Sequence, residues 1–201
     1  NPALLRFGGD RKELTVLFSD VRGFTTYSER HDAETVVEIL GEYLTRMVDV
    51  VFKNEGTLDK FIGDAVMAIF GSPVPQTDHA LRACKTAVGM MAELKALREK
   101  WAQEGRDPFA IGIGINTGEV IVGNLGSVQR FDYTVIGDPV NLAARLESLN
   151  KEFPQASGII ISDFTYALVK DQVDARPLGE VKVKGKDRPV IAYELLGMKN
   201  P

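Results

Sequence analysis

Residues 57–70 read TLDKFIGDAVMAIF, and this stretch decides how the rest of the chain is arranged. Its two halves, Thr57–Ile62 and Ala65–Phe70, have the length and composition of strands. Between them lies Gly63-Asp64, a pair whose backbone preferences favour a tight turn. The stretch therefore predicts a β-hairpin.

The segment before the hairpin predicts a strand followed by a helix. An apolar run at residues 14–18 has strand length and ends at Ser19 and Asp20. Asp32 is suited to cap a helix, and the apolar residues that follow it recur at helical spacing up to Val51. The hairpin is therefore preceded by one strand and one long helix.

The segment after the hairpin predicts a second helix and another strand. Apolar residues recur at helical spacing over residues 80–101. Isoleucine and glycine then alternate over residues 111–115, which predicts a strand against which another backbone packs closely. With the elements before it, this gives the ferredoxin-like βαββαβ order, in the α+β class.

The C-terminal third predicts additional strands and a helix around this core. The predicted elements are a strand at residues 120–122, a helix at residues 140–149, and strands near Ile159, Val181 and Val190. The sequence contains no internal repeat, low-complexity segment or linker. We therefore expect a single domain over residues 1–201, with its core at about residues 11–196.

The composition narrows the classes of function. The chain has 201 residues, 44% of them hydrophobic, and no apolar run approaches the roughly 20 residues that a membrane helix needs. Its net charge of −4 argues against non-specific binding of nucleic acid. The chain does not begin with methionine, so we expect a regulatory or sensor region outside it. The lack of an export signal favours a cytoplasmic location, including the cytoplasmic part of a membrane-attached protein.

Cysteine and histidine are too rare to build most metal sites or hydrolase triads. The single Cys84 excludes an internal disulfide and is expected in the core. The two histidines, His31 and His79, lie beside aspartates near predicted helix starts, where we expect them to be exposed. Any metal would therefore be held by carboxylates, which favour magnesium or manganese.

Two aspartates are expected to meet at one edge of the sheet. In a ferredoxin-like sheet the first strand lies antiparallel to the third, so Asp20 and Asp64 end up at the same edge. Two close carboxylates repel each other unless a proton or cation lies between them. Each aspartate alone is equally compatible with a simple turn residue. Together they favour a site for two divalent ions that bind nucleotide phosphates.

Four segments resemble the motifs of class III nucleotide cyclases. They are FSDVRGFT at residues 18–25, DKFIGD at 59–64, YTVIGDPVNLAAR at 133–145 and VKGK at 183–186. They occur in the order and spacing of the family, and the resemblance covers nearly the whole chain. It implies the fold of the class III cyclase catalytic domain.

The resemblance also implies the metal and phosphate ligands. Asp20 and Asp64, with the backbone carbonyl of Val21, would bind two Mg²⁺ or Mn²⁺ ions per site. The backbone N–H groups of Gly23, Phe24 and Thr25, together with that of Arg22, would surround the phosphates.

Further residues match the family's catalytic and base-reading positions. Asn141 would orient the ribose, and Arg145, one helical turn later, would stabilise charge on the α-phosphate. Lys60 and Thr134 would read the purine, and lysine suits the N1 acceptor of adenine. Lys184 would contact the terminal phosphates, although an exposed basic edge with its neighbouring lysines explains it almost as well.

The resemblance thus implies an adenylate cyclase that acts on ATP as a homodimer with two symmetric sites. Each site would take its metal ligands from one chain and the other residues from its partner. Some relatives carry an arginine after the Thr-Gly of a fourth-strand hairpin, where this chain has Glu119, which implies a weaker grip on the phosphates. The alternatives are a guanylate cyclase, a palm-type nucleotidyltransferase and a degenerate cyclase domain that only regulates.

Overall fold

The computed structural model describes residues 8–183 and 185–200. The strands are β1 (Gly8–Val21), β2 (Thr57–Ile62), β3 (Ala65–Phe70), β4 (Ile111–Gly126), β5 (Phe131–Ile136), β6 (Ile159–Ser162), β7 (Val173–Val181) and β8 (Val190–Met198). The helices are α1 (Phe24–Glu29), α2 (Ala33–Lys53), α3 (His79–Gln103), α4 (Asp138–Leu149) and α5 (Asp163–Val169). Within the described residues, no helix combines the length and the apolar character needed to cross a membrane.

The strands form one mixed sheet in the order β2-β3-β1-β4-β6-β8-β7, and β5 pairs with β4 outside this order. The first four strands have the ferredoxin-like arrangement, with β1 antiparallel to both β3 and β4. The α+β class and the ferredoxin-like core are therefore confirmed, and the predicted bounds of β2 and β3 match the structure.

Alternation along β1 divides the core between the two faces of the sheet. Leu17 and Val21 pack on the side of α2 and α3, together with Tyr43 and Trp101. Alternate residues of β1 face the opposite side, where they meet β5 and α4. That second cluster contains Leu14, Val16, Met67, Ile69, Val120, Val122, Val135 and Ala143. Asp20 is an even number of positions from Leu14 and Val16, so it belongs to the same face of β1.

The structure confirms the predicted start of α2 and the predicted burial of Cys84. The Asp32 carboxylate accepts a hydrogen bond from the Thr35 backbone N–H at 2.8 Å, as expected of an N-cap. Cys84 is fully buried on α3.

One prediction about β4 is wrong. Residues 111–115 and 120–122 belong to one uninterrupted strand, so no hairpin follows Thr117-Gly118. The strand continues because β1 is longer than predicted and pairs with it from Gly8 to Val21. Glu119 therefore lies within β4, where it forms a surface ion pair with Arg11 at 2.7 Å.

The expectation that His79 is exposed is also wrong. Only 9% of its surface is exposed, and its Nδ1 lies 2.7 Å from the Thr15 hydroxyl. The first turn of α3 packs directly against β1, which brings this residue into the interior, and burial lowers its pKa. His31 is partly covered and hydrogen-bonds Asp107 at 2.8 Å.

The glycines of β4 permit close approach of other groups, as the alternation predicted. A Cβ atom on Gly114 would lie 2.2 Å from the Glu147 backbone nitrogen and 2.4 Å from the Ala143 carbonyl oxygen. On Gly112 it would meet the Arg22 guanidinium. Helix α4 therefore rests directly on the backbone of β4, at a distance that only glycine allows.

We expect Gly114→Ala to destabilise the protein by about 2 kcal/mol or more, because α4 must move away from the sheet. Gly41→Ala is the matched control, since a Cβ at this exposed helical position meets nothing within 4 Å. It should raise stability by up to about 1 kcal/mol. Chemical denaturation of the two variants measures both effects, and equal stability would contradict the packing described.

Candidate functional site

The two predicted aspartates do meet. Ser19 is the last residue of β1 that pairs with β3, opposite Val66, so Asp20 lies level with the start of β3 and the preceding Asp64. The Val21 backbone N–H donates to Asp64 Oδ2 at 3.0 Å. Burial, followed by the hydrogen bond and charge of Asp64, raises the pKa of Asp20 to about 7. The two carboxylates thus share a confined, negatively charged corner.

The donor set of this corner fits a hard divalent cation. No group of three or more histidine, cysteine, aspartate or glutamate side chains suited to a metal occurs in residues 8–183 and 185–200. A cation here would therefore take two carboxylates from the chain and complete its shell with backbone or ligand oxygens. Such an ion would also offset the burial and the repulsion that together raise the pKa of Asp20.

A turn rich in free backbone N–H groups follows the carboxylates directly. Gly23 adopts a left-handed conformation with φ of 63°, which reverses the chain between β1 and α1. Helix α1 begins at Phe24 without a side-chain cap. The first N–H groups of a helix lack intrahelical partners, so Gly23, Phe24 and Thr25 present donors beside Asp20 and Asp64.

Arg22 ties this corner to α4. Its guanidinium donates to the Glu147 backbone carbonyl at 2.9 Å and forms an ion pair with the Glu147 carboxylate. Glu147 is largely buried, and its charge also contributes to the raised pKa of Asp20. The end of β1 and the C-terminal half of α4 are therefore held together.

A second cluster contains the predicted base-reading residues. The Thr134 hydroxyl donates to Asp59 Oδ2 at 2.7 Å, and Lys60 Nζ lies 3.7 Å from Asp59 Oδ1. Lys60 and Thr134, 74 positions apart in the chain, are thus joined through one carboxylate. Asp59 is the first residue of the DKFIGD segment. The sequence did not predict its contact with Thr134 and Lys60, because neighbouring strand residues normally point to opposite faces. A bulge between Leu58 and Lys60 changes that alternation.

Asn141 and Arg145 lie on an exposed side of α4, away from the carboxylate pair of their own chain. Arg145 and Glu147 are two residues apart, so their side chains leave the helix about 200° apart. Since Glu147 faces Arg22 and Asp20, Arg145 faces the other way. It instead lines a surface cleft of about 410 Å³ together with Lys182. Lys184, the predicted phosphate ligand, lies outside the described residues.

Comparison with known proteins places these features in a family. Residues 9–197 match the model of the adenylate and guanylate cyclase catalytic domain. The chain belongs to this family. Its members generally use divalent metals, in agreement with the donor set of the carboxylate corner.

Two solved cyclase structures resemble the chain over nearly its full length. The adenylyl cyclase CyaB from P. aeruginosa is 44% identical with a TM-score of 0.87, covering 95% of this chain and 97% of the other. The guanylyl cyclase Cya2 is 40% identical with a TM-score of 0.85, covering 97% of each chain.

A curated relative is much longer than this chain. Adenylate cyclase 1 of Rhizobium meliloti is 38% identical over 195 residues, which is 96% of this chain and 29% of that protein. The chain therefore spans less than a third of the length of this relative.

We expect Asp20→Asn to abolish stabilisation by a divalent ion. Because the folded pKa of Asp20 is about 7, above its ordinary 3.8, the metal-free wild type should lose stability as the pH rises from about 4 to 7. Mn²⁺ should restore it at pH 8, where the carboxylate is ionised, and should do little at pH 5.

Thermal unfolding with and without Mn²⁺ at both pH values measures this effect. Asp20→Asn should show neither the pH-dependent loss nor the restoration. Asp49→Asn, a change of an exposed carboxylate on α2, should behave as wild type. Equal Mn²⁺ stabilisation of the wild type and Asp20→Asn would exclude the metal site.

Proposed function

We propose that the chain is an adenylate cyclase, in which the ATP ribose 3′-hydroxyl attacks the α-phosphate to give cyclic AMP and pyrophosphate. The observation that carries this proposal is the carboxylate pair beside a turn of free N–H groups. That combination suits a triphosphate with its divalent ions. Family membership supports cyclisation as the reaction.

The carboxylate corner would hold the metals and phosphates. Asp20 and Asp64, with the Val21 carbonyl, would hold two Mg²⁺ or Mn²⁺ ions. When bound, the ions lower the pKa of the ribose hydroxyl and neutralise the departing pyrophosphate. The N–H groups of the Gly23–Thr25 turn would donate to phosphate oxygens, which fixes the direction of in-line attack.

The exposed side of α4 would complete the site. Asn141 would orient the ribose, and Arg145 would stabilise the negative charge that develops on the α-phosphoryl group. Lys184 would contact the terminal phosphates. Glu119 lies within β4, paired to Arg11, and as a carboxylate it would add no favourable contact to a phosphate.

Lys60 favours adenine over guanine. An ammonium donates to N1 of adenine, whereas N1 of guanine carries a hydrogen and offers no acceptor. Overall similarity does not decide this question, because both an adenylyl and a guanylyl cyclase resemble the chain at 40% identity or more. The choice of base therefore rests on Lys60 and the residues that surround it.

Two chains would combine to form each site. Arg145 faces away from Asp20 and Asp64 of the same chain, which supports its contribution to the site of a partner chain. Apolar side chains beside the two clusters support such an interface: Phe61, Ile62 and Ile136 are 45–60% exposed. A symmetric homodimer would then contain two complete sites. A regulatory region outside this chain and a cytoplasmic location, where ATP is available, belong to the same proposal.

The purified chain should form cyclic AMP from ATP with Mg²⁺ or Mn²⁺, and little cyclic GMP from GTP. Asp64→Ala should reduce the rate by at least about 100-fold, because the metal ligands are lost. Chromatography of the products measures both nucleotides. Cyclic GMP as the main product would make the chain a guanylate cyclase, and no product from a proven dimer would make it a regulatory module.

Asp20→Ala and Arg145→Ala should each be nearly inactive alone and regain activity when mixed. After complete exchange of equal amounts, half of the dimers are mixed and each retains one intact site, so about a quarter of the wild-type activity should return. Native mass spectrometry confirms the exchange. Absence of recovery in exchanged dimers would rule out a site shared between chains.

A further inference from the structure

Asp59 is a buried carboxylate placed between the two base-reading residues. Its side chain is 0% exposed, whereas that of Lys60 is 42% exposed. Burial raises the pKa of Asp59, while the Thr134 hydroxyl and the Lys60 charge act in the opposite direction. Asp59 Oδ1 has no hydrogen-bond partner within the described part of the chain. A buried charge of this kind is costly and calls for an explanation.

The hydrogen bond to Asp59 fixes the polarity of Thr134. A threonine hydroxyl has one proton and two lone pairs, and a free hydroxyl rotates to donate or accept as its partner requires. Here the Thr134 hydroxyl donates its proton to Asp59 Oδ2, with 2.7 Å between the two oxygens. Thr134 therefore presents only lone pairs to any other group that approaches its oxygen.

This polarity matches one purine and conflicts with the other. Adenine carries the N1 acceptor beside the N6 amino donor, whereas guanine carries an N1–H donor beside the O6 acceptor. Lys60 provides a donor and Thr134, held by Asp59, provides an acceptor. Guanine would face donor against donor at N1 and acceptor against acceptor at O6.

We propose that Asp59 is a positioning residue for base specificity, which holds the Thr134 hydroxyl as an acceptor for the adenine amino group and so disfavours guanine. The inference rests on the proposed nucleotide site and deepens it. A purely structural role, in which Asp59 only anchors β5 to β2, would affect the two nucleotides equally.

The test measures binding instead of turnover. Dissociation constants of 3′-deoxy-ATP and 3′-deoxy-GTP, which lack the attacking hydroxyl, are measured by calorimetry on the purified dimer with Mn²⁺. Selective binding that depends on Asp59, in a chain that forms no cyclic product, would contradict the proposed function but support the role of Asp59. The two failures are therefore distinguishable.

Asp59→Ala should lower the preference for 3′-deoxy-ATP about tenfold, because the freed hydroxyl can donate to O6 of guanine. In a Thr134→Val background the same change should alter the preference by less than about twofold, since no hydroxyl remains to be oriented. Asp132→Ala, which removes an exposed carboxylate from the same strand β5, is the matched control and should retain the wild-type preference. Equal weakening of both nucleotides by Asp59→Ala would overturn the proposal.

A second measurement needs no variant. The 3′-deoxy triphosphate of purine riboside keeps N1 of adenine but lacks the amino group. The wild type should bind it about tenfold more weakly than 3′-deoxy-ATP, because Thr134 loses its donor. Equal affinity for the two would show that Thr134 does not accept from the amino group and would overturn the role of Asp59.

Discussion

The continuous ladder between β1 and β4 is the constraint on which the candidate site depends. Every residue of β1 has a partner in β4, and β3 pairs with its other edge up to Ser19. Strand β1 is thus paired on both sides up to Ser19 and with β4 through Val21, so its end cannot shift without breaking backbone hydrogen bonds to its neighbours. The position of Asp20 relative to Asp64 is therefore fixed by backbone hydrogen bonds between the strands. The same strand β4 carries Gly114, where α4 rests, so the carboxylate corner and α4 share one rigid support.

This rigidity keeps two carboxylates together in spite of their repulsion. Arg22, the nearest cation along the chain, does not neutralise them, because its guanidinium is engaged by the Glu147 carboxylate and carbonyl. The raised pKa of Asp20 reflects its burial first, and then the hydrogen bond and charge of Asp64 and the charge of Glu147. An arrangement that is unfavourable by itself would become favourable if a divalent ion bound, so the proposed metal site would be maintained at a cost in stability.

Much of the fold could be predicted because its signals are local. The Gly63-Asp64 turn and the cap at Asp32 specify their elements within a few residues, and the topology then brings Asp20 to Asp64. The continuity of β4 could not be predicted, because Gly118 resembles a turn residue and the strand continues only because β1 pairs with it. The approach of Asp59 to Thr134 was equally hidden, since it depends on a bulge in β2 and on β5 lying near it. Features that depend on pairing between distant strands leave no signature in either segment alone.

The role proposed for Asp59 bears on how this family changes its substrate. The chain resembles the adenylyl cyclase CyaB and the guanylyl cyclase Cya2 almost equally in fold, at 44% and 40% identity. Neither the sheet nor the carboxylate corner distinguishes the bases, because both nucleotides carry the same triphosphate and ribose. Discrimination must come from hydrogen-bond polarity at two atoms of the purine edge, and a hydroxyl alone leaves one of these undecided. A buried carboxylate behind the hydroxyl removes that ambiguity without touching the base, so selectivity can reside in a residue that makes no contact with the substrate.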